Sequence, residues 1–461
     1  MSRNIARDLF RLGWPVFVAQ LAIMGNGVID TMMAGRYGTV DLAAIGIGAA
    51  IYASVFVTLM GVLLALTPIA AQLYGAEKHA EIGEEVRQTA WLAVFLSLIA
   101  ITLLRYPEPF LALSRLAPDV EVRVRGYLDA LSWSVPAALL FRVFYSFSTA
   151  VSRPRVVMAL NLVGLALKIP LNWVFMYGHF GAPEMGGVGC AMATATIAWV
   201  TCVLGWIWCY VEQDYARYRV FARFSKPRLR ELWHIVSLGL PVGMTFLVDV
   251  TGFTFMALFI ARLGALNSGA HQIASNTAVV IFMLPLAVGN AASVLVGQAI
   301  GARQMARARS VGITALAIGS ACAAVTGVLL FLGADAVAGL YTKDAGVRAL
   351  AAALIGLVAV YHLFDGLQAV TVNVLRGYKR TVVPMLVYAV ALWGVGLGGG
   401  YLLGLTRVEG FPLDTPLGAK GFWIAAIASL VVASVLVTAY FLAVSRRAIE
   451  ARGGAAATAR R

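Results

Sequence analysis

Charged residues are scarce in this chain. Only 13% of its 461 residues are charged, against about 25% in an average soluble protein, while 61% are apolar. A soluble protein of this length needs far more Lys, Arg, Asp and Glu to cover its surface. The composition therefore argues against a soluble enzyme, a nucleic-acid-binding protein and a disordered chain, and it predicts a polytopic membrane protein.

The sequence also lacks the motifs of enzymes and metal sites. It has four cysteines without a CxxC pair, five scattered histidines, and neither an HExxH nor a GxSxG motif. No catalytic set can be assembled from such residues. The cysteines are expected to be small core residues, and they leave metal binding undetermined. We therefore expect neither enzymatic activity nor a cofactor. A channel is disfavoured too, because no filter-like loop is repeated.

Long runs of apolar residues make up most of the sequence. A helix needs roughly 20 apolar residues to cross a membrane. Runs of that length lie near 12–34, 42–74, 88–104, 127–150, 156–177, 187–211, 233–261, 270–300, 309–332, 347–375, 382–404 and 421–444. We therefore predict an all-α fold of twelve transmembrane helices joined by short loops.

The basic residues are distributed unevenly among those loops. The N-terminus, the C-terminus and every second loop together carry 24 Lys and Arg, whereas the opposite loops carry 10. Cytoplasmic loops are enriched in basic residues, which also meet anionic lipids. We therefore expect both termini in the cytoplasm, and we attribute the net charge of +14 to this bias and to contacts with membrane lipids rather than to nucleic acid.

The chain contains an internal repeat at an offset of 226 residues. LGWPV at 12–16 matches LGLPV at 238–242, and both segments carry a proline. Further matched pairs are Arg36 and Arg262, Gly38 and Gly264, and Gln72 and Gln298. Six helices, an even number, fit in this offset, so the halves insert in the same orientation, related by an axis along the membrane normal. We predict six-helix bundles at 1–212 and 233–461, joined by a basic cytoplasmic linker at 213–232.

A few ionisable residues fall inside the predicted spans, where charge is costly and often functional. Asp30, Asp249 and Asp365 are candidates for cation coupling, because a buried carboxyl group can take up and release a proton. Spans 7 and 10 could bring Asp249 and Asp365 together around one shared proton or one Na⁺. Asp129 and Arg142, both in span 4, are expected to form a structural pair or to face water.

Asp30 is expected to lie in a polar cluster that serves substrate binding. The other candidates for this cluster are Asn26, Asn161, Lys168, Asn172 and Thr194. Lys168 lies one helical turn before Asn172, on the same face. It could neutralise Asp30 and occupy the place of a Na⁺ ion, or its side chain could extend to the membrane surface. The coupling ion, H⁺ or Na⁺, stays open.

Several segments resemble the multidrug and toxic compound extrusion (MATE) family, and in particular its bacterial NorM-like branch. They occur in family order across the whole chain: PVFVAQL…VIDTMMAGR (15–36), LTPIAAQLYGA (66–76), IPLNWVF (169–175), FGAPEMGGVGC (180–190), AHQIASN (270–276) and LRGYK (375–379). The resemblance implies a V-shaped pair of six-helix bundles. It also implies a monomer in the bacterial inner membrane that exchanges drugs and organic cations, such as fluoroquinolones and dyes, for H⁺ or Na⁺.

The resemblance also implies roles for single residues. Asp30 falls on the family's carboxylate of helix 1, and Asp365 on its acidic position of helix 10. Asn172 and Thr194 fall near its polar cluster in the N-terminal bundle. The remaining two positions depart from the family pattern. Asp249 stands where NorM-like members usually carry Glu, and Lys168 where related proteins often carry Asn.

A second function within the same superfamily is a flippase for lipid-linked or polysaccharide intermediates. Such a protein would need a cationic cleft to hold pyrophosphate. In this sequence the acids inside the spans outnumber Lys168 and Arg142, which favours the antiporter.

Overall fold

The computed structural model describes residues 2–108, 110–111, 117–222, 224–406 and 416–458. These residues are almost entirely helical, and no strand occurs among them. A helix satisfies its own backbone hydrogen bonds, which a membrane interior requires. The predicted all-α class is confirmed. Five residues counted above for the loops lie outside the described ones: Arg115, Arg223, Arg407, Arg460 and Arg461.

The described helices of the first half precede a short linker. They are α1 (Ser2–Tyr37), α2 (Thr39–Leu63), α3 (Leu66–Gly75), α4 (His79–Arg105), α5 (Pro118–Ser132), α6 (Val135–Ala150), α7 (Pro154–Tyr177), α8 (Gly187–Val211) and the four-residue α9 (Gln213–Ala216).

The second half repeats this pattern of long helices. Its described helices are α10 (Leu229–Ala261), α11 (Ala265–Gly301), α12 (Met305–Leu332), α13 (Ala334–Tyr341), α14 (Ala345–Gly377), α15 (Val382–Ala389), α16 (Gly399–Leu405) and α17 (Ala419–Thr458). A π-helical stretch, Val390–Gly398, joins α15 to α16 into one continuous segment.

Eleven helical segments among the described residues are long and apolar enough to cross a membrane, with α2 and α3 forming one of them and Val382–Leu405 another. A twelfth span is the pair α5 and α6, which is bent by 46° at its break. Pro136 is the second residue after this break, and proline supplies no backbone N–H to the preceding turn. The predicted set of twelve spans is thus reproduced, with span 4 bent.

The internal repeat is visible in the helix boundaries. Helices α2 and α11 begin 226 residues apart, and so do α4 and α12. The turns before α4 and α12 contain Glu77 and Arg303, which have φ angles of 60° and 58°. These are equivalent positions in the same left-handed conformation, so the two halves repeat each other in backbone geometry as well as in sequence.

The chain forms two compact units by its internal contacts. We call residues 14–243 the N-terminal unit, and residues 1–13 with 244–461 the C-terminal unit. This division differs from the predicted bundles 1–212 and 233–461 at the first turns of α1 and α10. Each of these two helices contributes its beginning to one unit and its remainder to the other, and the change falls near Pro15 and Pro241.

Packing explains where these two segments belong. In the C-terminal unit, Leu9 and Leu12 are buried in one hydrophobic cluster with Val294. In the N-terminal unit, Gly239 lies so close to the Val62 carbonyl that an added Cβ atom would stand 2.0 Å from its oxygen. The apolar faces of these helix starts are therefore core surfaces of the unit they pack in.

Candidate functional sites

A buried ion pair lies in the N-terminal unit. The Lys168 Nζ of α7 is 2.9 Å from Oδ1 of Asp30 in α1, and the two side chains are only 1% and 11% exposed. Asn172, one turn further along α7, donates from Nδ2 to the same oxygen at 2.7 Å. The structure therefore brings these three predicted residues together, and Lys168 points inward rather than to the membrane surface.

The Lys168 ammonium has an acceptor for each of its donors. Besides Asp30, it donates to Thr194 Oγ1 at 2.6 Å and to the Cys190 carbonyl oxygen at 3.3 Å. A Lys ammonium has three N–H donors, so all of them are used. The cluster of Asp30, Lys168, Asn172 and Thr194 thus carries no net charge when both ionisable groups are charged.

Close packing of α7 and α8 makes this geometry possible. A Cβ atom on Gly189 would stand 2.6 Å from the Met176 backbone nitrogen, so only glycine fits between these two helices there. Cys190 and Thr194 lie one turn apart on α8 and therefore face α7 together. The sequence could not reveal the Cys190 contact, since its main-chain oxygen is the acceptor.

Two other residues of the predicted cluster remain outside its hydrogen bonds. Asn161 donates to the Val157 carbonyl of its own helix at 2.8 Å. Asn26 has a buried Oδ1 without a partner among the described residues, and so does Asn172. The buried Asn172 oxygen borders the ion pair and is an unused acceptor for a cationic or hydrogen-bonding ligand.

The C-terminal unit holds the other two predicted acids. Asp249 of α10 accepts a hydrogen bond from the Tyr388 hydroxyl of α15 at 2.6 Å. Asp365 of α14 is buried, and its charge interacts with that of Asp249. Neither carboxylate has an ion-pair partner among the described residues. Two negative charges in apolar surroundings are costly unless a proton or a metal ion neutralises them.

Tyr388 and Tyr361 complete this second site and were missed from the sequence. Tyr361 is buried, and it lies one turn before Asp365 on the same helix face. That spacing was a usable signal, whereas Tyr388 lies in a different span from both acids. With the carboxylates, these hydroxyl groups supply the oxygen atoms that a proton or a hard cation such as Na⁺ prefers. No group of three His, Cys, Asp or Glu side chains with metal-binding geometry occurs in the described part of the chain.

Asp129 and Arg142 do not form a structural pair, and the exposed Asp129 fits the alternative expectation that it faces water. Asp129 is 3.1 Å from Nε of Arg105, and this pair is about half exposed. Asp129 belongs to α5 and Arg142 to α6. Thirteen positions along helical chain correspond to about 20 Å, which is beyond the reach of the two side chains. Arg142 instead lies over the Tyr145 ring, with its guanidinium carbon 4.3 Å from the ring centre.

Comparison with protein families gives a match over both halves of the chain. The family model described as MatE matches residues 15–174 and 241–402. The two matches begin at Pro15 and Pro241, the prolines that the internal repeat relates. The duplication found in the sequence is therefore a property of the family pattern itself.

Relatives of known name cover nearly the whole chain. A protein of Aromatoleum aromaticum that carries the name NorM is 41% identical over 94% of this chain and 93% of its own length. The multidrug resistance protein NorM of Vibrio cholerae is 37% identical over 94% of both chains. The multidrug resistance protein MdtK of Pectobacterium atrosepticum is 36% identical, also over 94% of both.

Solved structures of similar shape have lower sequence identity. The eukaryotic MATE transporter AtDTX14 superimposes with a TM-score of 0.85 at 20% identity, covering 97% of this chain and 99% of that one. The bent form of the Vibrio cholerae MATE transporter VcmN gives a TM-score of 0.84 at 18% identity, covering 97% and 98%. These likenesses establish the fold.

Proposed function

Because this chain belongs to the multidrug and toxic compound extrusion family, we propose that it is a secondary active transporter that exports drugs and organic cations in exchange for H⁺ or Na⁺. It is a multi-pass membrane protein. The names of its relatives support multidrug efflux as its activity. The exchange for a cation, and alternating access as its mechanism, rest on the arguments that follow.

The observation that carries the proposal is the pair of acids in the C-terminal unit. Asp249 and Asp365 have no basic partner among the described residues, and their charges repel each other. They therefore favour binding of a cation at membrane depth, either a proton or Na⁺. A cation taken up here on one side of the membrane and released on the other supplies free energy, about 2.3 kcal/mol per charge for each 100 mV.

The N-terminal unit supports a different role. Asp30 is already neutralised by Lys168, so an organic cation that reaches Asp30 competes with the lysine ammonium for one oxygen atom. Binding of such a substrate is thereby linked to displacement of the Lys168 side chain. The same ion pair argues against a flippase, because Lys168 is not available to hold a pyrophosphate.

The wider arrangement follows from the distribution of charge. We place both termini and the basic linker 213–232 in the cytoplasm of a bacterial inner membrane, with the functional bundles at 1–212 and 233–461. The protein is proposed to work as a monomer in contact with membrane lipids. The excess of Lys and Arg in alternate loops supports this orientation.

Efflux from proteoliposomes tests the proposal. The protein is reconstituted, a pH gradient and a Na⁺ gradient are imposed in separate experiments, and release of an ethidium-like dye is followed. At least one gradient should drive efflux, and Asp249→Asn and Asp365→Asn should each abolish the dependence on it. Asp335→Asn is the matched control, because that acid is exposed and lies outside the spans. Absence of dye movement with either gradient would refute the antiporter.

A further inference from the structure

Arg142 is a charged residue in a membrane span, and none of the described residues supplies a counter-ion to it. It lies in the middle of α6, and no hydrogen bond or ion pair joins its guanidinium to any described residue. Its Nε atom is buried and has no hydrogen-bond partner. A buried N–H donor without an acceptor is costly, and the Arg142 Nε–H is such a donor among the described residues.

Other basic residues of the N-terminal unit contrast with it. Lys168 uses all three of its donors. Arg87 donates to Glu84, to Ser225 and to two main-chain oxygens. The Arg142 guanidinium carbon instead lies 4.3 Å from the centre of the Tyr145 ring. The ring face attracts the positive charge, but it is not a carboxylate or carbonyl acceptor for the N–H groups.

The Arg142 side chain leaves α6 on a different face from the apolar groove of this unit. Leu140 lines that groove together with Trp91 and Trp206. Two residues further along an α-helix lie about 200° around its axis, so Arg142 faces the opposite side of α6. The residue as a whole is partly accessible. The buried Tyr145 hydroxyl beside it also lacks a hydrogen-bond partner among the described residues. The two neighbouring residues thus present donor groups with no acceptor.

We propose that Arg142 binds the carboxylate of zwitterionic drugs. The inference rests on the proposed function, since it assigns a substrate class to the transporter. A guanidinium holds a carboxylate through two parallel hydrogen bonds, a geometry that an ammonium group does not offer. The same unit carries Asp30 as an acceptor for an ammonium group. It therefore offers both charges that a molecule with one amine and one carboxylate requires.

Equilibrium binding with a matched pair of ligands tests this assignment. The probes are a fluoroquinolone that carries an ammonium and a carboxylate group, and its methyl ester, which keeps only the ammonium. Purified full-length protein in lipid nanodiscs should bind the acid about tenfold to a hundredfold more tightly than the ester, the range for hydrogen bonds to a charged group. Arg142→Gln should bind both equally, with its affinity for the ester within about twofold of the wild type. Arg142→Lys should recover part of the preference.

Arg262→Gln is the matched control. Arg262 also lies over an aromatic ring, that of Phe259 at 5.4 Å, but it is exposed at the end of its span. It should keep the wild-type preference for the acid. If Arg142→Gln cannot be purified, equal binding of acid and ester to the wild type overturns the proposal on its own.

Three further outcomes distinguish a failure of carboxylate binding by Arg142 from a failure of the proposed drug transport. Failure of the wild type to bind either probe would count against drug transport itself. Equal loss of affinity for both probes in Arg142→Gln would show a structural role and overturn the inference. An anionic phospholipid that copurifies with the wild type and is lost in Arg142→Gln, with the acid preference unchanged, would assign the guanidinium to a lipid phosphate and also overturn it.

Discussion

The Lys168 ammonium and the Asp30 carboxylate form a contact of 2.9 Å that is almost closed to solvent. The acid also accepts a hydrogen bond from Asn172, and the ammonium donates to Thr194. Removing one member of such a buried pair leaves the other charge without compensation. Removing both members leaves no uncompensated charge. The pair should therefore behave as one unit in stability as well as in transport.

A double-mutant cycle measures the coupling free energy between Asp30 and Lys168. Asp30→Asn and Lys168→Met should each lower the free energy of unfolding by about 3 kcal/mol, because each strands a buried charge. The double variant should lose clearly less than the sum of the two. Unfolding of the four proteins in the same detergent gives the coupling energy.

The exposed pair Arg446 and Glu450 provides the comparison. Its atoms are as close, at 2.7 Å, but the side chains are 75% and 58% exposed. The coupling energy between Arg446 and Glu450 should differ from zero by no more than about 0.5 kcal/mol. Additive losses at Asp30 and Lys168 would contradict the view that the two charges stabilise each other.

Tyr388 is predicted to tune the second acid site. Its hydroxyl donates to Asp249 at 2.6 Å, and Tyr388→Phe removes that hydrogen bond with little change in shape. A hydrogen bond to a charged group contributes about 1.5–3 kcal/mol, so gradient-driven dye efflux should fall by about tenfold or more.

Tyr401→Phe is the control for this change. Tyr401 lies in the same membrane segment, and it contacts the Phe259 ring edge-on. Its variant should transport at the wild-type rate. Wild-type efflux in Tyr388→Phe would show that the hydroxyl has no part in coupling.

Much of the architecture could be predicted because the membrane imposes it. A span must be helical and about 20 residues long, so apolar runs reveal its position. Acids in those runs are conspicuous, which is why Asp30, Asp249 and Asp365 could be selected from the sequence. The repeat related equivalent positions of the two halves, and the structure adds that the turns at Glu77 and Arg303 share a left-handed conformation.

The sequence does not reveal which residues of different helices become packing or hydrogen-bond partners, because three-dimensional packing decides this. An apolar face does not reveal which helices it packs against, so the contact of the start of α1 with the cluster around Val294 was not visible in the sequence. Asp129 pairs with Arg105 of α4, a partner from another predicted span. Tyr388 reaches Asp249 from a helix that lies 139 residues further along the chain.

The position of the linker after α8 should depend on Gly83 of α4, against which the linker packs. A Cβ atom on Gly83 of α4 would stand 2.1 Å from the Tyr218 carbonyl oxygen. Tyr218 is buried in the N-terminal unit, and burial raises the pKa of its phenol to about 12. Gly83→Ala should displace this segment and accelerate tryptic cleavage at Arg217 and Arg219, measured by mass spectrometry.

Gly46→Ala tests whether the effect is steric. Gly46 lies in α2 with nothing within 4 Å of its added Cβ atom, so alanine is expected to stabilise that helix by up to about 1 kcal/mol. Its linker should be cleaved at the wild-type rate. If trypsin cleaves the linker at the same rate in both variants, α4 and the linker can move apart to accept the added methyl group without a loss of stability.

The last prediction concerns Na⁺ at the N-terminal cluster. The oxygen atoms of Asp30, Thr194 and Cys190 surround the Lys168 ammonium within 3.3 Å. Lys168→Asn removes the cation and leaves an oxygen-rich place beside an uncompensated carboxylate, which suits a small hard cation. Dye efflux by this variant should be stimulated by Na⁺ under a constant pH gradient more strongly than efflux by the wild type. Lys78→Asn, at an exposed lysine paired with Glu81, should respond as the wild type does. An identical Na⁺ response in Lys168→Asn and the wild type would show that the ammonium does not occupy a cation site.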